Sequence, residues 1–501
     1  MSAAQALAVL DRLRALGVHA DDISADSRRA GSGCVFAAWP GQRTDGRRFL
    51  ADAAARGVAA VLWEDGDGFA APPLAVPGFG VRGLRELAGY LAHELHGRPS
   101  QALWLAGVTG TNGKTTVSQM LARALGDLGQ PCGIVGTLGC GFPDALEEGL
   151  NTTPDALELQ RWFARFRDQG AVAAAMEVSS IGLDQGRVNG AQFDVAIFTN
   201  LSRDHLDYHG TMEAYAEAKA RLFERPELAA CVINVDDPWG LALARRLVAA
   251  GRTVIACTLY AANADAVPGA RVLRADRLQA APAGLRFTLV WEGREAEIGV
   301  RMVAHFNVSN LIAVAGALLA RGIAFDELPP VLGRLSPPQG RMQLVGGVCE
   351  PLVVIDYAHS PDALAKVLEA LRGTVHSRRG RLTCVFGCGG DRDPGKRPLM
   401  GEIASAIADR VVITSDNPRS EDPQRIVEAI AAGAGPAAER VVDRAQAIAR
   451  AVAEAQADDV VLIAGKGHEP YQEILGKRLP FSDLEQAKRA LAAWHAREKG
   501  Q

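Results

Sequence analysis

Short apolar runs bounded by turns, each followed by a stretch with helical spacing, recur along most of the chain. The opening MSAAQALAVLDRLRALG sets leucines and a valine at helical intervals with charges between them, which predicts an amphipathic helix. Up to about residue 100, runs such as CVFAAW and GVAAVLWE alternate with helical stretches and end in HGRPSQ, read as a linker. From Ala102, ALWLAGV, CGIVGTL, AVAAAMEVS, FDVAIFTN and ACVINVDD read as strands, most of them separated by helical segments. That alternation predicts a mainly parallel, doubly wound sheet. Residues 270–302 alternate without helices and predict a small antiparallel piece. Pro337-Pro338 mark another boundary, after which PLVVIDYA, RLTCVFGCG, DRVVITSDN and DDVVLIAGKG alternate with helices again. The expected fold class is α/β with three domains, 1–100, 101–337 and 338–501.

Composition narrows the function classes. The 501 residues, 48% hydrophobic and 22% charged, describe an ordinary globular protein, and a prior of ~150 residues per domain also suggests three. A net charge of −4 supplies no basic field for nucleic acid. The most apolar stretch, LIAVAGALLA from Leu311, is about half a membrane span and reads as a buried helix. Without a basic n-region and apolar h-region at the start, the reading is a cytoplasmic protein without membrane insertion. Eight scattered cysteines form no CxxC pair and are expected to be reduced core thiols.

Chemistry concentrates where strands end. GVTGTNGKTTVSQ, Gly107–Gln119, misses the usual phosphate-loop pattern because Val108 stands where the first glycine belongs. A strand precedes it and a helix follows, so the N–H groups of Gly110, Thr111, Asn112 and Gly113 are placed to cradle anionic oxygens. Lys114 would reach the β/γ-phosphates and Thr115 would face magnesium. Glu177, in AMEVSS, closes a strand where a carboxylate can complete a magnesium shell, although an ordinary solvated strand end reads equally well. TNLSRDHLDYHG crowds Arg203, Asp204, His205, Asp207 and His209 after another strand. Zinc is one reading; a histidine beside magnesium–ATP is favoured because no cysteine accompanies the cluster. On spacing alone, Lys219 in EAYAEAKARLF is a solvated helix lysine. Three further strand-end loops, GCGGDRDPGKR, SDNPRSEDP and GKGHEPYQ, carry Arg392, Asp416, Arg419 and Glu469. Each alone is an ordinary turn, but together they suggest a pocket for a multiply charged or zwitterionic small molecule.

Taken with ADSRRAGSGCVFAAWPG, NTTPD, FNVSN and DYAHSPDAL, these stretches resemble the Mur ligase family of ATP-dependent amide-bond-forming enzymes over nearly the whole chain. TGTNGKTT also occurs in folylpolyglutamate synthases, whereas NTTPD, SRDHLDYHG and especially DNPR are far more specific to the peptidoglycan branch. The resemblance implies an N-terminal nucleotide-sugar domain, a central P-loop ATPase-like domain and a C-terminal Rossmann-like domain. It implies addition of meso-2,6-diaminopimelate to UDP-N-acetylmuramoyl-L-alanyl-D-glutamate through an acyl phosphate, with ATP and Mg2+ as cofactors, by a monomer in cytoplasmic peptidoglycan precursor synthesis. By resemblance, Ala25, Ser27, Gln42, Arg43 and Thr44 bind the uridine nucleotide, and Asn151, Thr152, Thr153, Ser179, Gln185 and Arg187 line the muramoyl-dipeptide path. Gly110 to Thr116 bind ATP together with Asn307, and Arg341 and Asp356 contact its ribose and phosphates. Thr115, Glu177, His205 and a carbamylated Lys219 surround magnesium, with Lys114, Glu177, His205 and Lys219 as the catalytic set. Arg392, Asp416, Asn417, Pro418, Arg419, Gly465 and Glu469 hold the incoming amino acid. Ile181, where the family commonly has histidine, Gln343, where glutamate is usual, and Ala25 depart from its pattern. Two other readings are a folylpolyglutamate-type ligase and a regulatory P-loop ATPase. The first does not need an N-terminal domain with the DSR motif, and the second predicts ATP hydrolysis independent of any amino acid.

Overall fold

The computed structural model describes residues 2–41, 44–149, 151–281, 284–347 and 349–499. The chain forms two compact units, Met1–Thr258 with Ala262–Leu273 and Ala313–Ala324, and Leu259–Ala261 with Arg274–Ile312 and Phe325–Gln501.

In the first unit, β1 (Asp22–Ser24), β2 (Cys34–Ala38), β3 (Ala60–Glu64) and β4 (Gly78–Val81) pair in chain order, all parallel. Both faces of this sheet are covered, which is why its strands read as unbroken apolar runs. Val35, Ala37 and Leu62 pack with the helices Ala3–Ala15 and Leu84–Leu95, while Phe36, Ala38 and Val61 face a smaller cluster around Leu50 and Ala53. The HGRPSQ segment is no free linker: it folds into a 3-10 turn, Pro99–Gln101, with Pro99 and Ser100 buried. The Ser100 hydroxyl accepts from Gln192 N at 3.1 Å. Arg161 forks onto Asp22 (2.9 and 3.0 Å) and donates to Ile23 O, tying the first sheet to the helix Ala156–Asp168.

A second sheet carries the site. Its strands are β5 (Trp104–Thr109), β6 (Cys132–Gly136), β7 (Gly139–Phe142), β8 (Ala145–Glu147), β9 (Ala173–Glu177), β10 (Val195–Phe198), β11 (Ala230–Asn234) and β12 (Val254–Thr258). They run in the order β12-β11-β10-β5-β9-β6-β7-β8, parallel from β12 to β6 and antiparallel beyond. β5 lies centrally, with Thr109 opposite Phe198 and Val108 opposite Glu177, so the loops after β5, β9 and β10 open at one edge. The chain steps from β5 past β9 to β6 and later returns to β10 on the other side; ligands bind at such reversals in open α/β sheets.

In the second unit, β13 (Arg271–Ala281), β14 (Gly284–Trp291) and β15 (Arg294–Val300) are consecutive neighbours, with β14 and β15 antiparallel as expected. The helix His305–Ala320 buries Leu311 and Ile312 there. β16 (Gln343–Val345), β17 (Leu352–Asp356), β18 (Leu382–Phe386), β19 (Arg410–Ile413), β20 (Glu439–Arg440) and β21 (Val460–Ala464) form a sheet of order β16-β17-β21-β18-β19-β20, parallel except for β16. Alternate residues feed two cores: Val354, Phe386 and Leu462 one, Ile355, Val385 and Ile463 the other. The hairpin β22 (Tyr471–Ile474) and β23 (Lys477–Pro480) follows β21. None of the eight cysteines forms a disulfide and only Cys349 is exposed; burial pushes the Cys34 thiol up to about 11. Among the described residues no helix is long and apolar enough to cross a membrane.

Candidate functional site

After β5 the chain turns through Gly110–Gly113 into the helix Lys114–Asp127. Gly110 has φ +144°, and a Cβ there would stand 1.9 Å from Thr199 Oγ1, so this position requires glycine. The loop is strapped to the segment after β10: Asn200 O accepts from Thr111 N (2.8 Å), Asn200 Oδ1 from Asn112 N (3.1 Å), and Asn112 O from Thr199 Oγ1 (2.6 Å). Thr116, one residue beyond Thr115, is buried in the helix's first turn.

Two lysines converge on one carbonyl. Lys114 Nζ donates to Gly110 O (2.8 Å) and Thr111 O (2.9 Å), and Lys219 Nζ donates to the same Gly110 O at 2.9 Å. Lys219 is buried, 1% exposed, with its nitrogen 4.3 Å from the centre of the Tyr215 ring. Spacing alone misreads it as solvated. Burial first, and then the neighbouring Lys114 ammonium, hold the Lys219 amine well below the usual lysine range. Tyr215, whose hydroxyl lies 3.2 Å from Thr111 Oγ1 and is pushed up to about 12 by burial, escapes a motif search because it is an ordinary helix-face aromatic.

Glu177, at the end of β9, is buried to 1% exposure. Its Oε2 accepts from Thr115 Oγ1 and Thr137 Oγ1, both at 3.0 Å, and its Oε1 from Thr137 N at 2.7 Å. Thr137 was signalled only by its place as the first polar residue after β6. The network continues outward: Thr137 Oγ1 meets Thr152 Oγ1 at 3.0 Å, and Thr153 Oγ1 lies 2.9 Å from Glu177 O and 3.1 Å from Ser179 Oγ. Arg187 donates to Thr153 O (2.9 Å) and forks onto Gln185 Oε1 (3.0 and 2.8 Å). Asn151, exposed, begins the same segment. The structure thus joins the phosphate loop, Glu177, NTTPD, Ser179, Gln185 and Arg187 in one continuous patch.

His205 caps a short helix with left-handed backbone (φ +51°) and an exposed ring, 6.1 Å from Tyr215, so the segment after β10 brings it to the rim. Its neighbour His209 turns inward, with Nε2 3.0 Å from Ser180 Oγ; burial, with Lys219 also contributing, lowers its pKa. Among the described residues no three His, Cys, Asp or Glu side chains gather around a common point. Ser27 is buried and Ala25 exposed just past β1, and Thr44 O accepts from Gly41 N beyond β2. Gln42 and Arg43 lie outside the described residues.

The second unit carries the other predicted residues. Asn307 is buried, its amide donating to Val303 O at 2.8 Å. Asp356 ends β17, and its carboxylate accepts from Met342 N and Ala358 N, both at 2.8 Å; burial raises its pKa, with Arg341 opposing. The Arg341 guanidinium lies 4.9 Å from the Tyr357 ring centre, and its Nε finds no partner among the described residues.

The loops after β18, β19 and β21 meet around Asn417. Its Oδ1 accepts from Lys466 Nζ and Glu473 N, both 2.9 Å, and its Nδ2 donates to Glu469 Oε2 at 2.8 Å. Asp416 is buried, and a Cβ on Gly465 (φ +116°) would come within 2.5 Å of its Oδ2, so glycine makes room for that carboxylate. Arg419, also in left-handed backbone (φ +51°), donates from Nη1 to Gly390 O (2.7 Å) and places Nε 3.6 Å from Glu473 Oε2. Pro418 O faces Gly390 closely, and Arg392 is exposed on the β18 loop. Gln472 Nε2 donates to Asp416 O (2.6 Å), and Arg419 N to Glu473 O (3.0 Å), so the β22–β23 hairpin is sewn onto the DNPR loop. Lys466, Gln472 and Glu473 were missed; the glycines flanking Lys466 were a signal, and nothing local singles out Glu473.

Comparison with known proteins matches three consecutive segments: the Mur ligase family catalytic domain at 19–93, the Mur ligase middle domain at 108–318, and the Mur ligase glutamate ligase domain at 340–467. The chain is 52% identical over 487 residues, 96% of each chain, to the UDP-N-acetylmuramoyl-L-alanyl-D-glutamate--2,6-diaminopimelate ligase of Ectopseudomonas mendocina. It is 51% identical over 480 residues, 94% of this chain and 95% of the relative, to the like-named ligase of Pseudomonas syringae pv. tomato. A solved structure of a ligase of the same name is similar with TM-score 0.71 at 39% identity, covering 95% of both chains. Similarity of this degree, sustained from end to end rather than confined to the phosphate loop, means that this chain belongs to the Mur ligase family.

Proposed function

We propose that the chain joins an amine of meso-2,6-diaminopimelate to the D-glutamyl carboxyl of UDP-N-acetylmuramoyl-L-alanyl-D-glutamate, converting ATP to ADP and phosphate. It is an ATP-dependent amide-bond ligase of peptidoglycan synthesis. The observation that carries the choice of amino acid is Arg419: half-buried, with Nη1 pinned to Gly390 O and Nε 3.6 Å from Glu473 Oε2, its guanidinium is held in place where it would meet a carboxylate. Diaminopimelate supplies that second carboxylate, and lysine does not.

The work divides between the units. In the first, the N–H groups of Gly110–Gly113 and the N-terminus of the Lys114 helix receive the ATP phosphates, and Lys114 exchanges its two carbonyl partners for phosphate oxygens. The D-glutamyl carboxylate attacks the γ-phosphorus and ADP leaves, giving an acyl phosphate. The diaminopimelate amine then attacks the acyl carbon; phosphate leaves and the amine loses a proton. No protein nucleophile is required, so the residues act by positioning and by balancing charge.

Thr115 Oγ1 and Glu177 Oε2, 3.0 Å apart, are the hard oxygen donors that magnesium prefers, and with His205 and a modified Lys219 they would hold it. When bound, magnesium offsets the negative charge that builds on the transferring phosphoryl group. An ammonium at Lys219 does not suit that neighbourhood. A neutral amine, favoured by burial beside Lys114, adds to CO2 and releases a proton, leaving a carbamate whose oxygens do. Ser27, Gln42, Arg43 and Thr44 would hold the uridine nucleotide, and Thr152, Thr153, Ser179, Gln185 and Arg187 the muramoyl dipeptide. The chain would act in the cytoplasm, as a monomer, on these small molecules alone.

Phosphate release, measured with the UDP-muramoyl dipeptide and with or without diaminopimelate, tests this reading. Release that needs both is expected. Release from ATP independent of any amino acid would make the chain a regulatory ATPase, and release dependent on a pterin–glutamate acceptor would make it a folylpolyglutamate-type ligase.

A further inference from the structure

Two adjoining strand-end loops each hold a residue other than glycine in left-handed backbone: Asp391 (φ +53°) after β18 and Arg419 (φ +51°) after β19. A short acid tolerates that conformation, whereas an arginine keeps it only where its surroundings impose it. Arg419 is gripped from two sides. On one, the hairpin bonds its backbone: Arg419 N donates to Glu473 O at 3.0 Å, and Leu475 N to Arg419 O at 2.6 Å. On the other, Asp391 holds the next residue, its Oδ1 accepting from Ser420 Oγ at 2.5 Å and its Oδ2 from Ser420 N at 3.2 Å.

The two loops are joined beyond that pair. Gly390 N donates to Asn417 O (2.9 Å), Arg419 Nη1 to Gly390 O (2.7 Å) and Asp391 N to Glu421 Oε1 (2.7 Å). Buried Arg397 donates to the same Glu421 oxygen at 2.8 Å and so anchors it. An exposed loop acid is ordinarily just solvated, but here both carboxylate oxygens and the N–H of Asp391 are committed to Ser420 and Glu421. The Ser420 hydroxyl first, and then its N–H, hold that carboxyl below the usual carboxylate range.

We propose that Asp391 is a positioning residue for the choice of amino acid: by holding Ser420 it fixes the backbone that presents the Arg419 guanidinium to the second carboxylate of the substrate. The inference rests on the reading of Arg419 as the group that meets that carboxylate. A guanidinium recognises a carboxylate through directed bonds, so a loosened backbone weakens the recognition even with the charge still present. Lysine has no second carboxylate and loses nothing by it. Asp391 also interacts electrostatically with Arg392 and Arg419. By charge alone, its removal would strengthen the pull of Arg419 on a carboxylate; positioning predicts the opposite sign.

The test uses the full-length protein carrying Asp391→Ala, with kcat/KM measured for meso-diaminopimelate and for L-lysine and KM for ATP measured alongside. The expected result is a fall of about tenfold for diaminopimelate, less than about twofold for lysine, and an unchanged KM for ATP. Asp391→Asn, which keeps an acceptor for the Ser420 hydroxyl without the charge, should recover most of the loss. Ser420→Ala, which removes only the hydroxyl, should shift the preference in the same direction by less, and it carries the test if Asp391→Ala does not fold. Placed on top of Arg419→Ala, Asp391→Ala should cost diaminopimelate nothing further. Equal losses for both amino acids would mean that Asp391 merely holds the loops; that result, an unchanged ratio or a gain for diaminopimelate overturns the proposal. Arg419→Ala alone separates the two claims. If it leaves diaminopimelate use intact, the pocket is misassigned; if it abolishes the preference while Asp391→Ala and Ser420→Ala leave the ratio alone, only the role of Asp391 fails.

Discussion

The phosphate loop and the proposed amino-acid pocket both sit at the carboxyl ends of parallel strands, yet they are built oppositely. The loop acts through its backbone: its shape comes from Gly110, its own amides and carbonyls take the straps from Thr199 and Asn200, and its two lysines share one carbonyl oxygen. The pocket is made of side chains: Asn417, Glu469 and Lys466 hold one another, and a hairpin from later in the chain grips Asp416, Asn417 and Arg419. A triphosphate offers the same oxygens to every enzyme that binds it, so a generic cradle serves. Choosing between two amino acids that differ by one carboxylate needs charges placed individually.

The largest effect that this contrast predicts is at Lys219. Lys219→Ala removes the proposed magnesium-facing carbamate and should cut phosphate release by about a thousandfold or more, ~4 kcal/mol of barrier. Short carboxylic acids should restore part of the activity, and intact-mass measurement of the wild type should find one added CO2 that is lost in acid. An unmodified lysine with an active alanine variant would remove Lys219 from the mechanism.

Arg419→Ala should act on one amino acid only. Its loss leaves the second carboxylate of diaminopimelate unpaired, about 2–5 kcal/mol, or roughly 30-fold to several thousand-fold in kcat/KM, while lysine use stays level or rises. Equal losses for both would mean that Arg419 only shapes the turn.

Gly110→Ala attacks the backbone cradle. The new methyl collides with Thr199 Oγ1 in a conformation that L side chains rarely adopt, so about 1–3 kcal/mol of strain should appear as a lower Tm and weaker ATP binding. Diaminopimelate-to-lysine preference should not move. If it does, the two regions are not separable in the way described.

Two smaller predictions sharpen the contrast by lying outside both sites. Burial alone would raise the Asp22 carboxyl, but His96 and Arg161 hold it down to about 2. Its folded pKa is thus below the unfolded value of about 3.9, so its stabilising contribution is complete above that value and fades as pH falls through about 2. The Tm difference between wild type and Asp22→Asn should therefore shrink as pH drops from 5 towards 2, and a difference that is constant across this range would contradict the pairing. Ile181→His should change kcat by less than about tenfold, ~1.4 kcal/mol, because a side chain that is already isoleucine holds no metal and moves no proton. Steady-state kinetics of that variant decides it.

The same contrast governs what could be read from sequence. The strand–helix alternation and the glycine-rich loop before a helix were legible because each depends on neighbours in the chain, whereas Glu177 alone read equally well as a solvated strand end. Lys219 was not legible, since its burial comes from Tyr215 packing and from Gly110, which is 109 residues away. HGRPSQ looked like a linker because proline and glycine mark loops, whereas burial of Pro99 and Ser100 depends on the two sheets it joins. Thr137 and Lys466 fall at strand ends, where one polar residue looks like another until its partner is known. The hairpin grip on DNPR had no local signature at all, and only the family resemblance directed attention to Arg419.

On the proposed division of labour, activation and amino-acid choice are separate tasks of separate regions. Trapping the activated nucleotide substrate with borohydride, in the presence of ATP and absence of any amino acid, tests it most directly. Arg419→Ala should accumulate the trapped, reduced dipeptide as wild type does, and Lys219→Ala should yield none. Loss of trapping in Arg419→Ala, or wild-type trapping in Lys219→Ala, would contradict it.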